Sequence, residues 1–209
     1  MYVHGVSVLG QGLAADGPEG LVFSDLDLRV EPGSLAAVTG PGGSGRTALL
    51  LVLSGRMRAL SGWLEVDGLR LPRQARKVRK LVQPARIRPG CELEEWHTVG
   101  EAIKERRLIG DATRSTIESG FALVGLDPDP HELIGELPDD EQLLLALALA
   151  AANAPGAIVV DDVEKGLPAE QRARVWAVLR DLTRIGMTVI AGSTDPPSGE
   201  VDVIRLADS

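Results

Sequence analysis

The sequence predicts an α/β fold in which a mostly parallel sheet is covered by helices on both sides. Three observations carry that prediction. Strand-like apolar runs alternate with helix-length segments. A glycine-rich loop, Gly40-Pro41-Gly42-Gly43-Ser44-Gly45-Arg46-Thr47, separates the apolar run Leu35 to Val38 from the leucine-rich run Ala48 to Leu53. A second apolar run, Ala157 to Val160, ends in the acids Asp161 and Asp162. At 209 residues the chain has the length of one domain, or of a core with one inserted subdomain. A net charge of −8 argues against a general nucleic-acid binder. Cys91 is the single cysteine, so no internal disulfide forms, and Met1-Tyr2-Val3-His4-Gly5 lacks the basic end and apolar block of a signal peptide. A cytoplasmic protein is expected.

Taken in order, Tyr2 to Leu9 is valine-rich and reads as a strand, and Gly10 to Gly20, with its Gly, Ala, Asp and Pro, as a surface turn. Leu26, Leu28 and Val30 alternate with charged residues, the period of a half-exposed strand, and Pro32-Gly33 turns the chain. After the strand Leu35 to Val38 and the glycine loop comes a helix closed near Gly55. Gly62 to Val66 reads as a strand ending in an Asp67-Gly68 turn. The stretch Arg70 to Arg88 is strongly basic and reads either as a solvated face or as a docking patch for an acidic partner or anionic lipid headgroups. Thr98 and Glu101 have capping-box spacing and open a helix. A second helix spans Ala112 to Val124, before Gly125. The segment Leu143 to Val160 has the length and apolarity of a membrane span, but Asn153, Pro155 and Gly156 divide it into a buried helix and a buried strand. Pro168 reads as a first helical residue, with Val175, Leu179 and Leu182 on one face and Gly186 at the end. Thr188 to Ala191 and Val201 to Ile204 are the last strands.

The glycine loop matches the phosphate-loop pattern at every defining position except the lysine, which is Arg46. Its glycines let backbone N–H groups approach an anion, while the following helix points its positive end at the same place. Thr47 would offer a hydroxyl to magnesium, and the cationic residue would reach the terminal phosphates. Arginine keeps the charge but is longer and forked, so the exchange is not conservative. The competing reading is a glycine turn that holds no ligand.

Together these pieces resemble the nucleotide-binding cassette of ATP-binding cassette (ABC) proteins. Gly33, the loop Gly40–Thr47, Ser61-Gly62, Asp67-Gly68, Gln83, Leu137, the Ala146-Leu147-Ala148 helix, Pro155, Asp161 and Thr188-Val189 before Asp195 follow the family's order. The resemblance implies a P-loop NTPase core of RecA-like, ABC ATPase type over residues 1–83 and 156–209, with a helical, signature-bearing subdomain inserted over 84–155. It implies ATP and Mg2+ as ligands. Gly40, Pro41, Gly42, Gly43, Ser44, Gly45, Arg46 and Thr47 would hold the nucleotide, and Thr47, Gln83 and Asp161 the metal. Asp162 and Gln83 would take the catalytic roles.

Several positions depart from the family. Leu137-Pro138-Asp139-Asp140-Glu141 stands where the family has Leu-Ser-Gly-Gly-Gln. Three acids suit a helix N-terminus, by about 0.3–1 kcal/mol each. Against phosphate they would repel, by up to roughly 4 kcal/mol per pair at 4 Å and an effective dielectric of 20. Asp162 replaces the family's catalytic glutamate, Thr194 its switch histidine, and the loop around Asp16 and Gly17 lacks the stacking aromatic. The resemblance with these losses implies a degenerate ATP-binding subunit of slow or absent hydrolysis. Its partners would be a membrane transporter subunit and a second cassette, in a homodimer or heterodimer, at the inner face of the cell membrane. The alternative is a nucleotide-free interaction module in which the basic strip, Trp63 and Trp96 carry the function. A small-molecule kinase with the same loop fits the register from Leu137 to Asp162 poorly.

Overall fold

Two sheets divide the apolar residues between them. The computed structural model describes residues 2–17, 20–197, 199 and 201–206. The first sheet is antiparallel, in the order β2-β1-β4-β5, from β1 (Val8–Gly17), β2 (Gly20–Val30), β4 (Ser61–Val66) and β5 (Leu69–Leu71). The second has the order β6-β7-β8-β3-β9, from β6 (Val82–Arg86), β7 (Ala157–Val160), β8 (Thr188–Ser193), β3 (Leu35–Thr39) and β9 (Asp202–Arg205), and every pairing in it is parallel. β7 and β8 are buried along their whole length, as strands covered on both faces must be.

Helix α1 (Arg46–Leu53) lies between the sheets. Leu49, Leu50, Val52 and Leu53 join Val8, Leu13, Val38 and Val159 in one core cluster. The other face of the parallel sheet packs against α5 (Asp139–Ala151) and α6 (Ala169–Arg184), with α3 (Val99–Ile109) and α4 (Arg114–Val124) outside α5. Helix α2 (Ala75–Leu81) bridges β5 and β6.

The helix ends follow the local signals. Thr98 accepts from the Glu101 N–H and Glu101 from the Thr98 N–H, at 3.2 and 2.8 Å, which closes the expected capping box. The Thr98 N–H, and after it the Thr98 hydroxyl at 3.1 Å, hold the Glu101 carboxyl below its ordinary pKa. Gly125 ends α4 in the left-handed conformation. Pro168 caps α6 from one residue outside the helix, where a first helical residue was expected.

The amino-terminal reading needs correction. Gly10 to Gly17 is strand rather than surface turn, hydrogen-bonded to β2 on one side and β4 on the other, while residues 18 and 19 of the expected turn lie outside the described residues. Its small residues mark register shifts instead. Between Gly10 and Leu13 the pairing slips, and the Gly12 N–H donates to Asp27 Oδ1 at 2.7 Å. Of Tyr2 to Leu9 only Val8 and Leu9 lie in the strand. The rest is tied down singly, by Val3 N–H to the Ile185 carbonyl at 2.8 Å and by Thr188 Oγ1 to the Val6 carbonyl at 2.8 Å. The expected boundary between Gln83 and Pro84 falls inside β6, which continues to Arg86.

Residues Leu143 to Ala151 of α5 are all buried against sheet and helices. Among the described residues no helix is long and apolar enough to cross a membrane. Leu147→Ala, at a position with no solvent exposure, is expected to cost about 2–5 kcal/mol of unfolding free energy in urea titrations. Leu108→Ala, at a position 75% exposed, should change it by less than about 0.5 kcal/mol.

Candidate functional site

The site forms where β3 and β7 end side by side. β3 delivers the chain into the loop Gly40–Thr47, and Gly45, with φ 90°, starts α1 without a side-chain cap. The first-turn N–H groups of α1 therefore lack a capping oxygen and face the loop. An added Cβ at Gly42 or Gly43 would meet nothing within 4 Å, so the mouth of the loop is open. Ser44, deep in the loop and 3% exposed, has a buried hydroxyl with no hydrogen-bond partner. An orphaned hydroxyl beside uncapped amides fits an anion of phosphate type.

Thr47 and Asp161 meet across the junction. The Thr47 hydroxyl donates to Asp161 Oδ2 at 2.5 Å, and Asp161 Oδ1 accepts the Asp162 N–H at 2.9 Å. β8 passes so close that a Cβ at Gly192 would lie 2.0 Å from Asp161 Oδ1. A hydroxyl and a carboxylate side by side fit Mg2+, a hard cation taking few protein oxygens.

Arg46 behaves less like the lysine of a phosphate loop. One guanidinium nitrogen donates to the Gly40 carbonyl and, at 3.0 Å, to the Pro41 carbonyl, and the other reaches Asp162 Oδ1 at 3.4 Å. The cation is folded back on its own loop. Asp162 is surrounded in turn: Lys165 lies 3.6 Å from its other carboxylate oxygen, Arg86 donates to its backbone carbonyl at 2.8 Å, and its φ is 48°. Asp162 and Lys165 border two cavities. One, of about 500 Å³, also meets Arg86, Arg88, Asp139 and Asp161; the other, of about 340 Å³, meets Arg46, Glu164, Arg172 and Thr194.

Gln83 is not brought to this place. Its amide donates to the Arg79 carbonyl at 2.8 Å, and it lines a separate cavity with Arg56, Cys91 and Glu105. The register gives the reason: Gln83 pairs with Ile158, whereas Arg86 pairs with Val160, and the Asp161 N–H donates to the Arg86 carbonyl at 2.8 Å. The residue level with Asp161 is therefore Arg86. Burial, and after it the like charge of Arg88, holds the Arg86 guanidinium below its ordinary pKa. Nothing in the sequence beyond membership of the basic strip singled it out.

The acids at the start of α5 also differ from expectation. Asp140, 3% exposed, pairs with Arg174 of α6 at 3.0 Å, and Glu141 is 3.9 Å from the same nitrogen. Only Asp139 faces the larger cavity, so the crowd of three carboxylates read from sequence is reduced to one. Trp96 is exposed as expected, but Trp63 is half-buried, with Arg70 over its ring.

A residue that sequence reading missed organises the far wall. Glu164 is 8% exposed, and its carboxylate accepts from Trp176 Nε1 at 3.2 Å, Ser193 Oγ at 2.6 Å, the Thr194 N–H and hydroxyl at 3.1 and 3.2 Å, and the Asp195 N–H at 3.2 Å. Thr194 is thereby fastened to the acid turn after β7. Its signal in the sequence was an acid three residues after Asp161, which spacing alone does not distinguish from a surface charge.

The sequence pattern of the ABC transporter family matches residues 23–164. The chain is 31% identical over 170 residues to the Fe(3+) ions import ATP-binding protein FbpC of Rhizobium etli, covering 79% of this chain and 48% of that protein. It is 32% identical over the same length, with the same coverage, to the protein of that name from Agrobacterium fabrum. The chain thus spans about half the length of these curated relatives. Among solved structures, a putative ABC transporter ATP-binding protein from Pyrococcus furiosus superposes with a TM-score of 0.77 at 19% identity, over 96% of this chain and 97% of that one. A dimeric, post-hydrolysis ATP-binding cassette bound to ADP and Pi gives 0.75 at 17% identity, over 90% and 88%.

Glu164→Ala removes the acceptor of five hydrogen bonds and leaves buried donors unpaired, so a loss on the order of 3 kcal/mol is expected in urea unfolding. Thr194→Ala, which removes one donor of the set, should cost about 1 kcal/mol.

Proposed function

The chain belongs to the ABC transporter family, and from that premise we propose that it is an ATP-binding subunit that grips ATP and Mg2+ but hydrolyses slowly or not at all. The observation that carries this reading is the 2.5 Å contact of Thr47 with Asp161 at an open, uncapped glycine loop, next to an Asp162 already engaged by Arg46 and Lys165. The N–H groups of Gly40–Thr47 would bind the triphosphate, Ser44 would find its missing partner there, and Thr47 and Asp161 would hold the metal. Magnesium, when bound, supplies charge neutralisation at the phosphate oxygens.

Three features support weak hydrolysis. Orienting an attacking water requires a carboxylate free to accept its proton, and each oxygen of Asp162 has a cation beside it, Arg46 at 3.4 Å and Lys165 at 3.6 Å, that competes for it. Thr194, in the place of an imidazole, spends its hydroxyl on Glu164. Arg86 stands level with Asp161 where a neutral amide was expected. Loss of one orienting group commonly costs on the order of 10²- to 10⁴-fold. Affinity is limited too, because Arg46 must leave the Gly40 and Pro41 carbonyls before it reaches an anion.

The relatives support a reading of the larger assembly. FbpC is named as an import ATP-binding protein, and we extend to this chain association with membrane transporter subunits and pairing with a second cassette, at the inner face of the membrane. The helices from α3 to α5 would form the inserted subdomain. Asp140 is spent on Arg174, so of the three acids Asp139, which lines the cavity beside Asp161, is the one left to bear on a bound phosphate.

Thermal melting with and without MgATP tests the binding half. At a hundredfold excess over Kd the gain is about 2.7 kcal/mol, or roughly 5–10 °C for a domain of this size. The shift should vanish in Gly45→Val and shrink in Thr47→Ala; an absent shift in the parent protein overturns nucleotide binding. Phosphate release should stay at the level of an Asp161→Asn control, and release well above that control overturns the weak-hydrolysis half.

A further inference from the structure

Between Asp67 and Glu92 the sequence has no acid and eight cations, on a chain whose net charge is −8. The structure sorts those eight. Arg86 and Arg88 line the cavity beside Asp161. Arg79 donates through Nε to the Gly55 carbonyl at 2.7 Å, which pins α2 to the chain leaving α1. Arg70 lies 5.4 Å from the centroid of the Trp63 ring, opposite Glu65 in the β4–β5 pairing. The remaining four, Arg73, Arg76, Lys77 and Lys80, are exposed, and among the described residues their side chains have no hydrogen-bond or ion-pair partner. On α2, Lys80 follows Lys77 by three residues and Arg76 by four, which brings all three to the outer side of the helix. Val78 is buried on the inner side.

Such a face selects its partner by what it lacks. The centre of a protein interface is depleted in charge and anchored by aromatic or apolar side chains. Here Leu71, Ala75 and Leu81 are part-buried, Leu71 and Leu81 packing against the core, and none of the three is exposed as the cations are. A layer of anionic phospholipid headgroups needs no apolar anchor and responds to summed positive charge. The acidic remainder of the chain is repelled by the same layer, so approach is restricted to this side. We propose that Arg73, Arg76, Lys77 and Lys80 form a docking face for an anionic phospholipid surface.

The face is separate from the phosphate loop, and its test needs no nucleotide, so its outcome is independent of the reading of that loop. The full chain is floated with vesicles of phosphatidylglycerol and phosphatidylcholine, and with vesicles of phosphatidylcholine alone. Binding to the anionic vesicles only is expected, falling away between about 0.05 and 0.5 M salt. Each cation contributes roughly fivefold, so replacing all four by glutamine should weaken binding by more than about a hundredfold. The fourfold glutamate variant should abolish it. Melting temperatures verify that both variants fold, and the glutamine variant carries the comparison if the glutamate one does not. No binding by the parent chain, or undiminished binding by a folded variant, overturns the proposal. Capture of polyglutamate without binding to vesicles would assign the face to an acidic protein and also overturn it.

Discussion

Asp161 is the point on which the arrangement of the site depends. One of its oxygens takes the Thr47 hydroxyl and the other the Asp162 N–H, while its own N–H is held by the Arg86 carbonyl. A single residue, through its carboxylate and its backbone N–H, thus joins the start of α1, the end of β7 and the end of β6. β8 approaches without a side chain at Gly192, because any Cβ there would collide with that carboxylate. These contacts are possible only because the parallel strands end at nearly one level, which places residues far apart in sequence at one rim of the sheet.

Around that point charge is balanced within the chain. Asp162 lies between Arg46 and Lys165, and Asp140 is closed by Arg174. Burying an acid beside a fixed guanidinium avoids leaving a lone charge out of water, but it also leaves the acid less able to act on a ligand. Glu164 is satisfied in another way, by five neutral donors drawn from α6 and from the residues at and beyond the end of β8. The result is a phosphate-type cradle whose surrounding acids and cations are largely engaged with one another. Binding geometry and catalytic readiness are separable properties, because a nest of amides and an orienting carboxylate are built from different residues.

Much of the frame was legible in the residues. The glycine loop between strand and helix, the capping box at Thr98 and the buried strand Ala157 to Val160 each rest on local chemistry, and each is present. The amino-terminal hairpin was not legible, because glycines and aspartates that ordinarily punctuate a surface turn serve here as irregularities within paired strands. Composition reports what a backbone tolerates, and both turns and bulges tolerate glycine. Of the candidate site, Thr47 and Asp161 converge, whereas Gln83 lies elsewhere.

Sequence by itself determined the fold class, the phosphate-type loop and the family, since these rest on the order of local motifs along the chain. Tertiary structure alone decided which charges meet. That Arg86 rather than Gln83 stands level with Asp161 follows from a strand register, and that Asp140 turns to Arg174 follows from the packing of α5 on α6. Register and packing are set by contacts between residues dozens of positions apart, and such contacts leave no periodic trace in the sequence.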